Sequence, residues 1–307
     1  MTRIASASFP QATISSLLAN QSQLLDVQRQ VSSGFVAQDL QGFAADAGRL
    51  VSTQSLFARA SAFESQANVL SQRLNVQAEV LTGLSDGVAA FTGTIQDAIA
   101  VNTGVGVEAA LQTLFTEARS FLNTQFAGQF VFAGTQSETA PVQVASLADL
   151  AALPTAAESF IPDLSNQLQR ISGSETIAAG PLADEVGGPL FAVLQRLQQF
   201  IDGPNGNFGA QLTDAQRTEL TGILADLEPA RQAVLAGQVQ NGQAQAQTER
   251  ALIRAEAETN VLNNLIVDQS AANLAELAVE LNTLETQLQA TAAIFGNIQD
   301  LNLLSVL

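Results

Sequence analysis

Apolar residues recur at alternating spacings of three and four along the last part of the chain. This is the a/d pattern of a helix that packs lengthwise against another helix. The seam runs through Leu274, Leu277, Leu281, Leu284, Leu288, Thr291, Phe295 and Ile298. The first part of the chain carries the same pattern, at Ile14, Leu17, Gln21, Leu24, Gln28 and Val31. Two such seams, one near each terminus, predict that the two ends of the chain lie side by side.

The terminal seam runs into a compact apolar stretch, residues 301–307, which holds four leucines and a valine. Such an apolar stretch is rarely left exposed to solvent, so we interpret both ends of the chain as surfaces that neighbouring copies bury. In a free chain we expect both ends to be disordered. The alternative is a helical bundle that covers its own seams. The predicted subunit interface comprises Ile14, Leu17, Leu18, Leu24, Leu25, Val31, Leu274, Leu277, Leu281, Leu284, Leu288, Phe295, Ile298, Leu301, Leu304 and Leu307.

The N-terminal half predicts three helices. The first covers 11–31 after Pro10, and Gly34 is suited to a left-handed cap behind it. The second covers about 44–102 and would be roughly 85–90 Å long. A third helix covers 107 to about 125. The second helix carries a near-continuous heptad at Leu70, Leu74, Gln77, Leu81, Leu84, Val88, Phe91, Ile95 and Ile99, which continues a repeat at Leu56 and Phe63.

The middle of the chain changes period. Residues 129–134 alternate like a strand, and residues 168–171 and 175–178 flank a turn typical of a β-hairpin. A short helix is predicted from Pro189 to Ile201. The segment 213–216 matches a capping box that opens a last long helix, expected to bend near Pro229 and to run on into the terminal seam.

These elements predict a mainly α fold, a long antiparallel coiled-coil rod formed by the N- and C-terminal segments with a small β-containing domain inserted at its tip. The segment between the two halves is acidic, with seven acids against one arginine in 135–187. The predicted domains are 1–42 (inner-core helix and connector), 43–134 (rod and β-hairpin), 135–187 (exposed tip), 188–270 (rod) and 271–307 (inner-core helix).

Composition narrows the functions that the chain can have. The net charge is -17, all 12 cationic residues are arginine, and Cys and His are absent. This charge argues against nucleic acid and anionic membranes as partners. Because His, Cys, Lys and Tyr are absent, only carboxylates, Ser/Thr and Arg remain for chemistry, and we expect no enzyme activity, no cofactor and no metal site. The first residues hold no apolar core of a Sec signal peptide, and no run reaches the length of a membrane span.

Three stretches resemble the bacterial flagellin superfamily. Gln30-Val31-Ser32-Ser33-Gly34 is similar to its LSSG signature, and residues 121–135 resemble the N-x-x-x-x-G-x-Y-x-F-x-G passage, with Phe130 in the Tyr position. Residues 275–307 are similar to its last core helix. The loop 38–48 lacks the superfamily's D-D-P pattern. The ending, residues 298–307, resembles the I-x-x-L-S-L-L-x-x-L of the hook–filament junction branch and lacks the N-Q-x-P element of flagellins.

The resemblance implies a secreted, extracellular structural subunit of the flagellum that joins hook to filament. It implies a ring of copies, neighbouring hook-associated protein and flagellin subunits, and export by the flagellar type III apparatus with a cytoplasmic chaperone. A filament flagellin is the alternative within the superfamily. A secreted coiled-coil effector or adaptor is the alternative outside it.

Overall fold

The computed structural model describes residues 5–162, 165–204 and 206–304, with side chains described except at 5–10, 12, 13 and 295–304. The mainly α class with a small β-containing part is confirmed. In chain order the helices and strands are α1 (Ala5–Ser33), α2 (Ala47–Val101), α3 (Val107–Leu122), β1 (Gln125–Phe126), β2 (Gln129–Phe130), α4 (Leu147–Ala152), β3 (Leu168–Arg170), β4 (Thr176–Ala178), α5 (Ala183–Ile201), α6 (Asp214–Ser270) and α7 (Leu274–Leu304).

The chain divides into two compact units. The terminal unit comprises the residues up to Arg59 and those from Glu258 onward, and the central unit comprises Ala60–Ala257. α1 and α7 therefore belong wholly to the terminal unit. α3, α4, α5 and all four strands belong to the central unit.

The core of the central unit forms where the apolar faces of α2, α3, α5 and α6 meet. The heptad predicted for α2 is buried from Leu70 to Ile95, and Ile99 is partly buried. Upstream, the prediction that the heptad continues through Leu56 was wrong, because the Leu56 side chain is 45% exposed. The face of α2 there is formed by Leu50, Thr53 and Ala60, which sit on the buried side of the helix.

Two glycines explain how α2 and α3 come close together. A Cβ on Gly83 would lie 2.8 Å from the Phe121 ring, and a Cβ on Gly87 would lie 3.2 Å from a Leu114 methyl group. These glycines weaken the intrinsic preference of α2 for the helix. In return, they allow α3 side chains to contact the α2 backbone directly.

β1 and β2 form a hairpin in which Gln125 pairs with Phe130. Ala127 and Gly128 both have positive φ, as a two-residue type I′ turn requires. The sequence predicted helix to about residue 125 and a strand over 129–134. The predicted end of the helix and the predicted range of the strand were both wrong, because the tight turn places Gln125 in β1 and the chain leaves the strand after Phe130.

The predicted hairpin after residue 167 is confirmed, with Leu168 opposite Ala178 and Arg170 opposite Thr176. Apolar residues of 135–187 also join the main core, among them Val142, Leu147, Leu150 and Phe160. The assignment of 135–187 as a separate tip domain stays a prediction.

α5 begins at Ala183, six residues before the predicted start, and Pro189 lies inside it. The helix starts early because the Glu185 carboxylate accepts from the Leu182 N–H at 3.3 Å. A Cβ on Gly187 would lie 2.5 Å from a Leu122 methyl group, so glycine permits the close contact of α5 with α3.

The capping box of α6 is confirmed. The Gln216 side chain accepts from the Thr213 N–H at 3.0 Å, and the Thr213 hydroxyl accepts from the Gln216 N–H at 3.2 Å. The predicted continuity of this helix with the terminal seam was wrong, because α6 ends at Ser270. A new helix starts because Asn273 accepts from the Glu276 N–H at 3.3 Å, as an N-cap residue does.

α1 also begins earlier than predicted. It starts at Ala5, so Pro10 lies within the helix rather than at its entrance. A proline removes one N–H and one helical hydrogen bond, which is a cost that a helix of 29 residues can sustain.

Candidate subunit interface

α1 and α7 pack against each other in the terminal unit, which confirms that the two ends of the chain lie side by side. The end of α1 meets the start of α7, because Phe35 and Ala271 form an antiparallel bridge. The Val36 N–H donates to the Ser270 carbonyl at 2.9 Å, and the Ala272 N–H donates to the Gly34 carbonyl at 2.9 Å. These backbone bonds align the two helices.

Gly34 makes this junction possible. Its φ is +74°, and its N–H donates to the Gln30 carbonyl at 2.8 Å. The predicted left-handed cap is therefore confirmed. Glycine adopts this conformation without the steric cost that a Cβ would bring.

The seam between the helices is short. Val27, Leu277 and Leu284 are buried, and Leu24 and Leu281 pack partly buried against them. The α7 seam continues through the partly buried Leu288 and Thr291, as predicted, whereas Leu274 is 56% exposed.

The seam of α1 departs from the predicted register. Val27 is buried, whereas Gln21 and Gln28 are exposed. The reason is that a straight helix has 3.6 residues per turn and drifts away from a strict seven-residue repeat. Leu17 and Leu24 keep their predicted places as partly buried residues.

An apolar stripe on α1 remains uncovered. Ile14, Leu18 and Leu25 are 42%, 59% and 60% exposed. At 3.6 residues per turn they lie within about 40° of one another around the helix axis. We call these three residues the outer stripe. Val31, Leu274 and Val279 are also exposed on this helix pair.

α1 is also nearly free of charge. Its sequence holds only Asp26 and Arg29, which pair with each other at 2.9 Å. α7 holds four acidic residues and no basic one. The cores of protein–protein interfaces are depleted in charged residues in the same way.

The remaining predicted interface residues fall at the end of α7 and beyond it. The side chains of Phe295, Ile298, Leu301 and Leu304, and the whole of Leu307, lie outside the described residues. Their place in the interface stays a prediction.

The polar residue Gln77 has a partner within its own chain. It is fully buried in the central unit, and its amide donates to the Val131 carbonyl at 2.6 Å. It fixes the β1–β2 hairpin against α2.

Comparison with known proteins places this fold. No family model matches the chain, and no curated protein matches its sequence. A putative flagellar hook-associated protein from Vibrio parahaemolyticus is 14% identical, with a TM-score of 0.57 over 76% of this chain and 99% of that one. FlgL from Bacillus cereus is 10% identical, with a TM-score of 0.54 over 71% of this chain and 99% of that one. The chain has the fold of flagellar hook-associated proteins.

The segment between α1 and α2, which the sequence predicts as a connector, exposes further large apolar residues. Phe35, Val36 and Leu40, between α1 and α2, are 51%, 40% and 52% exposed. A connector that faces only water would be polar, so three large apolar side chains within six residues are a signal of contact.

The groups that this interface presents are aliphatic side chains, Ser, Asn and Gln side chains, and paired backbone. Such groups support association with another helical surface. Within the described ranges, His, Cys, Asp and Glu form no cluster of three that could hold a metal ion. None of the described helices combines the length and apolar character that a bilayer span requires.

Proposed function

We infer that this chain is a structural axial subunit of the bacterial flagellum, which joins hook to filament through packing of its terminal helices between subunits. The observation that carries this function is the uncovered outer stripe on an almost uncharged α1. Burying a fully exposed leucine stabilises an assembly by about 1.5–3 kcal/mol, so three half-exposed stripe residues contribute about 2–5 kcal/mol per subunit.

The fold shared with hook-associated proteins and the junction-type ending of the sequence support the same function. The proposed partners are copies of the chain in a ring and the adjoining hook-associated protein and flagellin subunits. The proposed route is export by the flagellar type III apparatus, with a cytoplasmic chaperone, to an extracellular position in the flagellum. The proposed role is structural, and no catalysis belongs to it.

The test is a matched pair of double variants in the source bacterium, in a strain from which the gene is deleted. Leu18→Glu with Leu25→Glu places two charges in the outer stripe. Ser16→Glu with Gln23→Glu adds the same charge at exposed positions two residues earlier, on a different side of α1. We expect motility in soft agar from the wild-type chain and from the Ser16/Gln23 variant, and none from the Leu18/Leu25 variant.

Electron microscopy and the culture medium of the deletion strain test the junction role itself. We expect hooks without filaments and flagellin released into the medium, because flagellin is made but lacks the junction subunits on which it would assemble. Filaments of normal length in the deletion strain contradict the proposal.

The two alternatives give different results with purified protein. A filament flagellin forms long homopolymers, whereas a junction subunit forms at most a short ring. A secreted adaptor without an axial role leaves motility unchanged when its gene is deleted.

A further inference from the structure

A cavity of about 380 Å³ lies in the central unit, between α2 and the two β-hairpins. Val69 and Phe126 contribute apolar surface to its wall, and Gln66, Gln167 and Gln169 contribute amides. Arg73 is the cation in this wall.

Arg73 differs from most arginines of the described residues in its partners. Six others pair with Asp or Glu, as Arg196 does with Glu219. The Arg73 guanidinium instead donates to the Gln167 amide oxygen at 2.6 Å and to the Val131 carbonyl at 3.0 Å. Both acceptors are neutral. No carboxylate of the described part of the chain pairs with it.

The charge of Arg73 is also only partly solvated. Burial lowers the pKa of Arg73, and its Nε–H is enclosed without an acceptor. A partly buried cation without a counter-ion is a destabilising arrangement, which a carboxylate would relieve. A guanidinium has five N–H donors in a planar fork, so donors remain for a carboxylate after the two bonds described.

The chemistry of the wall defines the ligand further. Glutamine amides both donate and accept, which suits a peptide backbone, and Val69 and Phe126 suit the methylene groups beside a carboxylate. This chain is itself rich in such groups, with 29 acidic residues against 12 arginines. Copies held together by their terminal helices would present these acids at high effective concentration.

We propose that the Arg73 cavity binds an Asp or Glu side chain from a second copy of this chain. This contact joins central units to each other and is separate from the packing of the terminal helices. It rests on the proposed function, because the assembly supplies the second copy.

The test uses a photo-reactive benzoylphenylalanine in place of the exposed Gln66, at the edge of the cavity. Flagella are purified from the source bacterium that carries this variant and are then irradiated. We expect a covalent adduct between two copies, and mass spectrometry should locate it in a peptide that contains Asp or Glu.

Two substitutions in the probe strain connect the adduct to Arg73. Arg73→Gln removes the charge, and Val69→Glu places a carboxylate one helical turn from Arg73, where it competes with the incoming one. We expect each to reduce the adduct by at least about tenfold. Arg250→Gln, at an exposed position of α6, is the charge-matched control and should leave the adduct unchanged. Val69 is 55% exposed, so Val69→Glu serves even where Arg73→Gln impairs folding.

The outcomes separate this inference from the proposed function. If the chain is present in purified flagella without an adduct between copies, or with an adduct to a different protein, the inference is overturned and the proposed function stands. An adduct that survives both Arg73→Gln and Val69→Glu also overturns it. If the chain is absent from flagella, the proposed function fails and the inference fails with it.

Discussion

Two glycines of α6 show how a single position depends on its neighbours. A Cβ on Gly237 would lie 2.8 Å from a Val186 methyl group and 3.4 Å from a Leu81 methyl group. A Cβ on Gly242, five residues later in the same helix, meets nothing within 4 Å. Both glycines have the same intrinsic cost in a helix, so only packing distinguishes them.

We therefore predict opposite effects for the same substitution. Gly242→Ala should raise the free energy of unfolding by about 0.5–1 kcal/mol, because alanine is the better helix former. Gly237→Ala should lower it by about 1–3 kcal/mol, because the methyl group overpacks the core. Urea unfolding followed by circular dichroism measures both. Equal effects at the two positions contradict the packing described here.

Some residue-scale predictions succeeded because their cause is local. Gly34 and the pair Thr213 and Gln216 act through backbone groups within four residues, so the sequence contains everything that decides them. The predicted seam of α1 included Gln28, whereas the structure buries Val27, because the distant helix α7 decides which face of α1 is covered.

At the scale of elements, α5 and α6 are joined by one arginine. The Arg196 Nε–H donates to the Glu219 carboxylate at 2.7 Å, and the guanidinium also binds Asp226. Hydrogen bonds with Glu219, and then with Asp226, raise the pKa of Arg196. Gly222 leaves room for this group, since a Cβ there would lie 2.9 Å from an Arg196 nitrogen.

Arg196→Lys should weaken this connection, because an ammonium group cannot form the bidentate pair. The side chain is 46% exposed, so solvent screening limits the expected loss to about 0.5–1 kcal/mol at low salt. The loss should shrink as salt is added. Urea unfolding at two ionic strengths measures it. Arg231→Lys is the control, because the ion pair of Arg231 lies within one helix, and its effect should be smaller. An effect of Arg196→Lys that is independent of salt contradicts the prediction.

The terminal helices should be the least stable elements of the free chain. α3 buries six side chains in 16 residues, whereas Val27 is the buried side chain of α1 among those described. Elements with few buried contacts open locally at low free energy. We therefore expect α1 amides in the free chain to exchange with deuterium at least about 100-fold faster than α3 amides.

Hydrogen–deuterium exchange with mass spectrometry measures this difference. In assembled flagella the difference should become smaller, because neighbouring copies cover the outer stripe. Equal protection of α1 and α3 in the free chain would favour a bundle that covers its own seams.

At the scale of the whole molecule, the main hydrophobic core lies wholly between Val80 and Val234. A second cluster also stays inside the central unit, between Leu70 and Ala251. A chain segment that holds its own core can fold without its flanks.

We predict that residues 60–257 fold as an isolated fragment. Its thermal unfolding should be cooperative and should lie within a few degrees of the main transition of the full chain. Differential scanning calorimetry measures both transitions. The control fragment 60–213 lacks Leu220, Ile223 and Leu227 of the core and should not fold. An unfolded 60–257 fragment contradicts the division into two units.

The sequence by itself determined the long helices, the pairing of the two ends and the hairpin around Ser172, because periodicity and turn chemistry act over short distances. Only the tertiary structure decided that α6 and α7 are separate helices and that Val27 rather than Gln28 is buried. It alone placed Arg73 in a cavity without a carboxylate. Val27 and Arg73 depend on contacts with residues far apart in the chain, and the break between α6 and α7 lies where Ser270 and Ala272 form backbone bonds with residues 34–36. No short pattern of apolar and polar residues encodes such contacts.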